Sequence, residues 1–371
     1  MTKNRSDQNI KLNGDIYNRQ NLGELFFQSE SDDSWRNTIY HFLMEWFDEK
    51  DYILAQTSGS TGKPKSIRLQ KKSIVNSALM TNRFFGLTPK NTALLCLPAS
   101  YIAGKMMLVR ALVGGFNLLT VAPVANPFEG MNTSIDFTAI TPYQLQHSAI
   151  TLHHKTVGKI IVGGSPVTHQ LQLLAQTIPA ELYETYGMTE TCSHIALRRI
   201  NGNEQSDFFT ILEGISIRQD ERGCLAVRAP HLLGTEIVTN DVVEMIDERS
   251  FRWLGRADST INSGGIKIHP EQVEKKLQKL ILHNFFISSL PDENLGEKVV
   301  LVIESNPFTL LNEQILKEEM ESLLDKYEVP KLILYLPTFC YSNSNKVLRK
   351  ETLQNALKKN ISTLDASTEE I

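Results

Sequence analysis

Thr57-Ser58-Gly59-Ser60-Thr61-Gly62-Lys63-Pro64-Lys65 gathers two glycines, four hydroxyl side chains and two lysines into nine residues. Glycine lets the backbone turn its N–H groups toward an anion, Ser and Thr add donors on rotating bonds, and lysine supplies positive charge. The tract is therefore suited to wrapping a polyphosphate. It is not a Walker loop, which needs Gly, four residues, then Gly-Lys-Ser/Thr. Counting back from Gly62-Lys63 puts Thr57 at the first glycine position, and Pro64 stands where the magnesium-binding hydroxyl belongs. Pro64 also lacks an N–H, so the tract is expected to stay a loop. Taken alone it is equally a Ser/Gly-rich surface turn.

The rest of the chain has to decide between these readings. With 371 residues it exceeds one ordinary core, and two domains are expected. Hydrophobic residues at 41% and charged residues at 22% are those of a folded globular chain. Thirty-eight basic against forty-two acidic side chains leave a formal charge of −4 with no long run of either sign, so nucleic acid is not an expected partner. Cys96, Cys192, Cys224 and Cys340 lie far apart and read as reduced thiols of a cytoplasmic protein. Residues Met1 to Asp15 have no apolar signal core. The most apolar stretch, Ala93 to Pro123, is interrupted by Lys105 and Arg110, so no membrane span is expected.

A helix is expected around Trp35 to Phe47, a short strand at Ser66 to Leu69, and a helix from Lys72 to Phe85, where Ile74, Val75, Ala78, Leu79 and Phe85 recur at helical spacing before Gly86. Apolar runs at Leu94 to Leu97, Asn117 to Val121, Phe137 to Ile140 and Lys159 to Val162 have strand length, with helix-length segments between them. That alternation predicts a layered α/β core. Between Phe209 and Trp253 short β-rich pieces predict a small β subdomain. Beyond residue 258 the pattern is that of a compact α+β module: a helix opened by Pro270, a strand at Val299 to Ile303, a helix over Asn312 to Tyr327 with Ile315, Leu316, Met320, Leu323 and Leu324 on its core stripe, and a strand at Lys331 to Leu336.

A second group of chemistry-bearing residues is Tyr183-Glu184-Thr185-Tyr186-Gly187-Met188-Thr189-Glu190-Thr191. Here Tyr186 can stack on a purine, Gly187 turns the chain, Thr189 can bond a phosphate oxygen and Glu190 can hold Mg²⁺, a hard cation that prefers oxygen. Without company this too is a strand-end turn with a solvated carboxylate. Further along come Thr239-Asn240-Asp241, Gly255-Arg256-Ala257-Asp258, Ser263-Gly264-Gly265-Ile266-Lys267-Ile268, and Lys346 on a polar stretch near the C-terminus. An isolated Lys346 is by default a solvated charge.

In this order and with these gaps, the motifs resemble the adenylate-forming superfamily of acyl-CoA synthetases, adenylation domains and luciferases. Tyr186 to His194, Leu97 to Arg110 and the short length are most similar to the o-succinylbenzoate:CoA ligases of menaquinone biosynthesis. The resemblance implies an ATP- and acyl-binding domain over residues 1–257 and a small mobile domain over 258–371, hinged at Asp258. It implies that a carboxylic acid attacks ATP, assisted by Mg²⁺, to give an acyl-adenylate and pyrophosphate, and that CoA captures the acyl group. By the same resemblance Lys346 bridges the acyl carboxylate and α-phosphate. Thr57, Ser58, Gly59, Ser60, Thr61, Gly62, Lys63 and Lys65 hold phosphates, while Thr189 and Glu190 contact phosphate and metal. Asp241 and Arg256 hold the ribose. Gly163, Gly164, Ser165 and Pro166 with Tyr186 hold the adenine, Gly187 belongs to the same nucleotide site, and Gly264 and Gly265 face the thiol after the domain turns.

Three departures stand out. Asn240 and Asn345 replace glycines usual in the family; asparagine tolerates positive φ, so the same turns are expected at both. Tyr101 stands where related ligases often have His. Only 56 residues precede Thr57, which predicts a trimmed N-terminal portion. Tyr101, Lys105, Arg110, Thr191, Ser193 and His194 are candidates for the acyl pocket, with Lys105 and Arg110 equally able to face an anionic substrate or solvent. Two other readings remain open: adenylation of another acid for a carrier-protein thiol or an amine, and a nucleotide-binding protein without catalysis. His153-His154 lacks a third ligand at metal-like spacing.

Overall fold

The computed structural model describes residues 8–24, 34–56, 66–341 and 347–368, with side chains as far as residue 360. By its contacts the chain forms two compact units. The first holds residues 1–218, 226–237 and 245–252; the second holds 219–225, 238–244 and 253–371. Strands Cys224–Arg228, Ile237–Met245 and Ser250–Arg256 of the β-rich region contribute residues to both.

In the first unit the strands are β1 (Ile10–Leu12), β2 (Asp15–Tyr17), β3 (Tyr52–Gln56), β4 (Ser66–Gln70), β5 (Thr92–Leu95), β6 (Asn117–Thr120), β7 (Ile135–Ile140), β8 (Val157–Val162), β9 (Glu181–Gly187), β10 (His194–Arg199) and β11 (Phe209–Ile211). The main sheet runs β11-β10-β9-β8-β7-β5-β6-β1-β2. It is parallel from β9 through β1 and antiparallel at its two ends. The β1–β2 hairpin turns on Asn13 and Gly14, with φ of 51° and 98°, the pair of left-handed residues that a two-residue hairpin requires.

The parallel strands are buried on both faces, which explains their continuous apolar runs. On one face Leu145, Ala149 and Leu152 of helix Pro142–His153 and Leu171 and Ala175 of helix His169–Ala175 pack on Ile160, Val162 and Leu182. On the other face Phe85, closing helix Lys71–Phe85, meets Phe137 and Tyr183 at ring-centroid distances of 5.1 and 5.2 Å. Gly86 ends that helix in the left-handed region, φ 66°, as its position just past the apolar stripe predicts. Thr141 caps helix Pro142–His153 in a reciprocal capping box with Gln144.

In the second unit strands Ile261–Ser263, Ile266–Ile268, Phe285–Asp292, Gly296–Glu304 and Leu332–Leu336 form a five-stranded sheet. Val273 and Leu277 of helix Pro270–Leu277 and Leu316 and Met320 of helix Leu310–Leu323 fill one side of it. Leu353 and Ala356 of helix Arg349–Thr368 fill the other. The stripe expected on the second of these helices is narrower than its sequence implies. Leu316, Met320 and Leu324 are buried, but Ile315 and Leu323 are 45% and 39% exposed. The helix ends at Leu323, and Leu324 reaches the core from an extended backbone. Among the described residues no helix is long and apolar enough to cross a membrane.

Candidate functional site

In an open parallel sheet the strand ends that point their carbonyl termini outward converge on one edge, and a crevice opens where successive crossovers leave in opposite directions. Here β5 is flanked by β6 and β7. Helix Ile102–Gly114, after β5, and helix Pro142–His153, after β7, both start at that edge. The stretch Pro98-Ala99-Ser100-Tyr101 leaves β5 there, Gly163-Gly164-Ser165-Pro166 leaves β8, and Met188-Thr189-Glu190-Thr191 leaves β9. Two of the expected motifs are therefore neighbours because their strands are neighbours.

Their shapes are set by contacts with no signature in the sequence. Glu184, only 6% exposed, accepts from the Val167 N–H at 2.9 Å and from Arg198 Nε at 2.6 Å, which ties the Gly163–Pro166 turn to β9. A Cβ on Gly163 would lie 2.3 Å from Thr185 Oγ1. A Cβ on Gly187 would lie 2.4 Å from Ser193 O and 2.5 Å from His194 Cα, so only glycine permits the bulged start of β10. Tyr186 is half-buried, its ring set edge-on against Phe251 at 5.0 Å and tilted on Phe209 at 5.7 Å.

Beyond Gly187 a short 3₁₀ turn, Thr189–Thr191, presents Thr189 and exposes Glu190. Thr191 is fully buried. Its hydroxyl accepts from the Met188 N–H at 3.0 Å and faces the carbonyls of Met188 and Ser193 at 2.9 and 2.8 Å, so it locks the turn instead of lining a pocket. Cys192 continues at φ 65°, buried, its thiol pushed up to about 12 by desolvation. Such a thiol packs and does not act as a nucleophile.

Arg110 is 2% exposed. Its Nη2 donates to Ser193 Oγ at 2.9 Å and its Nη1 reaches Met107 Sδ at 3.5 Å, while Nε is buried with no acceptor. Among the described residues it has no carboxylate partner. Burial pulls it down to about 9, which still leaves a cation at neutral pH. Ser193 Oγ also lies 3.4 Å from His194 Nδ1, and His194 Nε2 lies 3.2 Å from Thr81 Oγ1, which in turn reaches Ser77 O at 3.2 Å. One proton arrangement satisfies the whole series: Arg110 donates to Ser193, Ser193 to Nδ1, and the Nε2–H to Thr81. It requires a neutral imidazole. Burial, and then the charge of Arg110, hold His194 well below its ordinary value and keep it neutral.

Lys105 is engaged elsewhere, donating to Leu54 O at 2.7 Å and Glu45 Oε2 at 3.2 Å. Tyr101 is 54% exposed at the N-cap of its helix. The tract Thr57 to Lys65 lies outside the described residues. Its two flanks, Gln56 and Ser66, are paired in the antiparallel β3–β4 hairpin. Asn345 and Lys346 also lie outside. On either side of them Tyr341 pairs with Val347, Leu348 N–H donates to Cys340 O at 2.8 Å, and Arg349 forks onto half-buried Glu274 at 2.7 and 2.9 Å.

The second unit holds the other candidates. Arg256 makes a two-bond fork to Asp258, 2.9 and 3.0 Å, and stands 3.9 Å from Asp241. That fork holds the Asp258 carboxyl below its ordinary value. A Cβ on Gly255 would lie 2.3 Å from Glu271 Oε2. Gly264 and Gly265 both have positive φ, 60° and 81°, and form the turn between two strands. The expectation of a positive-φ turn at Asn240 is overturned. Asn240 lies inside strand Ile237–Met245, outside the left-handed region, and its side chain is a hydrogen-bond acceptor. No group of three His, Cys, Asp or Glu side chains is arranged for a metal ion among the described residues.

The chain is similar to known proteins along most of its length. A 2-succinylbenzoate–CoA ligase from Lactococcus lactis is 26% identical over 328 residues, which cover 82% of this chain and 71% of that one. The crystal structure of an acyl-CoA synthetase (AMP-forming)/AMP-acid ligase II-like protein from Dyadobacter fermentans matches with a TM-score of 0.59 at 36% identity, covering 90% of this chain and 97% of that one. An o-succinylbenzoate coenzyme A synthetase from Bacillus subtilis, solved with ATP and magnesium, has the same fold, with a TM-score of 0.69 at 20% identity over 89% of this chain and 81% of that one. The family model described as AMP-binding enzyme matches residues 6–211, more than half of the chain, so the protein belongs to the AMP-binding enzymes and has the adenylate-forming fold.

Proposed function

We propose that this protein is an ATP-dependent acid:CoA ligase acting on o-succinylbenzoate. In the first half-reaction a carboxylate oxygen of the acid attacks the α-phosphorus of ATP, the bond to the bridging oxygen breaks, and pyrophosphate leaves. In the second the CoA thiol attacks the acyl carbon and AMP departs. Anion approaches anion in the first step, so catalysis rests on positioning and on cancelling charge. Lys346 bridges the carboxylate and α-phosphate oxygens, and the Thr57–Lys65 tract holds the β- and γ-phosphates. The Gly163–Pro166 turn and Tyr186 seat the adenine, and Asp241 and Arg256 seat the ribose. Exposed Glu190 would offer an oxygen to Mg²⁺, which when bound would neutralise phosphate charge. Residues 258–371 then turn about Asp258, removing Lys346 and bringing Gly264-Gly265 to the thiol.

One observation carries the choice of acid: the buried Arg110 cation without a carboxylate partner among the described residues. A simple carboxylic acid spends its only charge in forming the adenylate. A dicarboxylic acid retains one, and a desolvated guanidinium is the group to meet it. The ligases that this chain resembles carry the same substrate in their names. Purified protein given ATP, Mg²⁺, CoA and o-succinylbenzoate is expected to release pyrophosphate and form the thioester, with benzoate and butyrate far poorer. No pyrophosphate release with any acid would sink the ligase reading. Adenylate formation without consumption of CoA would move the acceptor to a carrier protein or an amine.

A further inference from the structure

Asp241 sits on a strand whose local geometry is governed by a turn in another part of the sequence. Asp220-Glu221-Arg222-Gly223 folds back on itself: Asp220 Oδ1 accepts from the N–H groups of Arg222 and Cys224, both at 2.8 Å, and Gly223 takes φ 80°. Asp220 Oδ2 also holds Arg222 Nε at 2.9 Å, which aims the guanidinium. Its two remaining nitrogens reach the strand: Nη1 donates to Asn240 Oδ1 at 3.2 Å and Nη2 to Thr239 O at 3.4 Å. Thr239 is buried, and its hydroxyl accepts the N–H of Asp241 at 3.0 Å. Val243 N–H closes the arrangement on Gly223 O at 3.1 Å. The two residues immediately before Asp241 are thus gripped by one arginine. The acceptor on Asn240 is a side-chain oxygen, which a glycine at this position could not offer.

We propose that Arg222, acting through Asn240 and Thr239, is a positioning residue that sets the Asp241 carboxylate for the two hydroxyls of the ATP ribose. The inference rests on the ribose role given to Asp241 above. Fixing a carboxylate before the nucleotide arrives removes ordering cost from binding, and its effect is confined to ligands that carry the hydroxyls. Arg222 touches no reacting atom, so the rate of chemistry on bound substrate is not expected to depend on it.

The test compares ATP with 2′-deoxyATP in the pyrophosphate-release assay, using the full chain as wild type, Arg222→Ala, Asn240→Ala and Asp241→Ala. Arg222→Ala is expected to raise the KM for ATP about three- to fivefold, the scale of an exposed charged pair, with kcat unchanged and the KM for 2′-deoxyATP moving less. Discrimination between the two nucleotides should shrink. Asn240→Ala removes only the acceptor, is compatible with a strand, and should shift the same ratio in the same direction; it keeps the test alive where Arg222→Ala fails to fold. Asp241→Ala should abolish the discrimination. If it does so while Arg222→Ala and Asn240→Ala leave the ratio at the wild-type value, the positioning role is wrong and the ribose role of Asp241 stands. If Asp241→Ala itself leaves the ratio intact, Asp241 does not hold the ribose and both readings fall.

Discussion

Arg110 and His194 show how burial changes the chemistry of two residues of ordinary appearance. A cation removed from water without a carboxylate is a cost to the fold, and such a cost persists where function uses it. Arg110→Met, which keeps the stem volume and removes the charge, is expected to leave the thermal midpoint unchanged or higher. The same change should raise the KM for o-succinylbenzoate about thirtyfold or more, the lower end of the loss when one member of a buried charge pair is truncated. A steady-state KM and a thermal melt on the same sample check both halves. His194 makes a prediction about pH. In the fold it is neutral and held below its ordinary 6.5, whereas in the unfolded chain it titrates near that value. The unfolded state therefore binds more protons as pH falls below about 6.5, and stability drops there with a slope approaching about 1.4 kcal/mol per pH unit for this one group. Above that pH its contribution is flat. Urea titrations at pH 5, 6 and 7 on wild type and His194→Gln should show the slope reduced in the variant. Neither residue's environment was visible in sequence, where Arg110 and His194 entered only as polar candidates near two motifs.

The decisive element is the antiparallel junction of β9 with β10. Glu184 and Arg198 pair across it at side-chain exposures of 7% and 10%, and Glu184 also holds the turn after β8. Removing one partner of a buried pair leaves an uncompensated charge, so Glu184→Ala is expected to destabilise the protein by about 3–5 kcal/mol. It should also weaken ATP binding by loosening the Gly163–Pro166 turn; a melt and nucleotide titration together read both effects. Gly187→Ala must push apart backbone atoms of Ser193 and His194, at a cost of about 1–3 kcal/mol, measured as a shift in the urea midpoint. The neighbouring Gly163→Ala clashes with a side chain, Thr185, and with no backbone atom, so its cost should be smaller. Glycine at 187 was legible as part of a motif, but the sequence offered a turn as its reason. The structure supplies a different one: strand β10 passes too close for any side chain. Asn240 follows the same pattern, since its tolerance of positive φ proved irrelevant inside a strand, where its side-chain oxygen accepts from Arg222 instead.

At the scale of the molecule, the proposed reaction asks one lysine to serve only the first of two chemical steps. Lys346→Ala is expected to slow adenylate formation about 10²–10³-fold, the scale of losing one preorganised charge stabiliser. Thioester formation from supplied acyl-adenylate should change little. Rapid-quench measurement of the two half-reactions separates them, and equal loss in both would remove Lys346 from its assigned place. On the described residues flanking that lysine, Tyr341 pairs with Val347 and Arg349 forks onto Glu274, whose carboxyl burial pushes upward against the pull of Arg349.

By itself the sequence determined the layered α/β core, the α+β character of the last third and the order of the motifs. These depend on apolar periodicity and on residue types at fixed spacing, which are local properties of the chain. The neighbouring of the strand ends after β8 and β9, the burial of Arg110 against Ser193, the Glu184–Arg198 clamp and the bonds from Arg222 to the Asp241 strand were decided by tertiary structure. Each depends on which strands become neighbours and on how far a charge is removed from water. Both are long-range outcomes of packing, set by residues tens of positions apart in sequence.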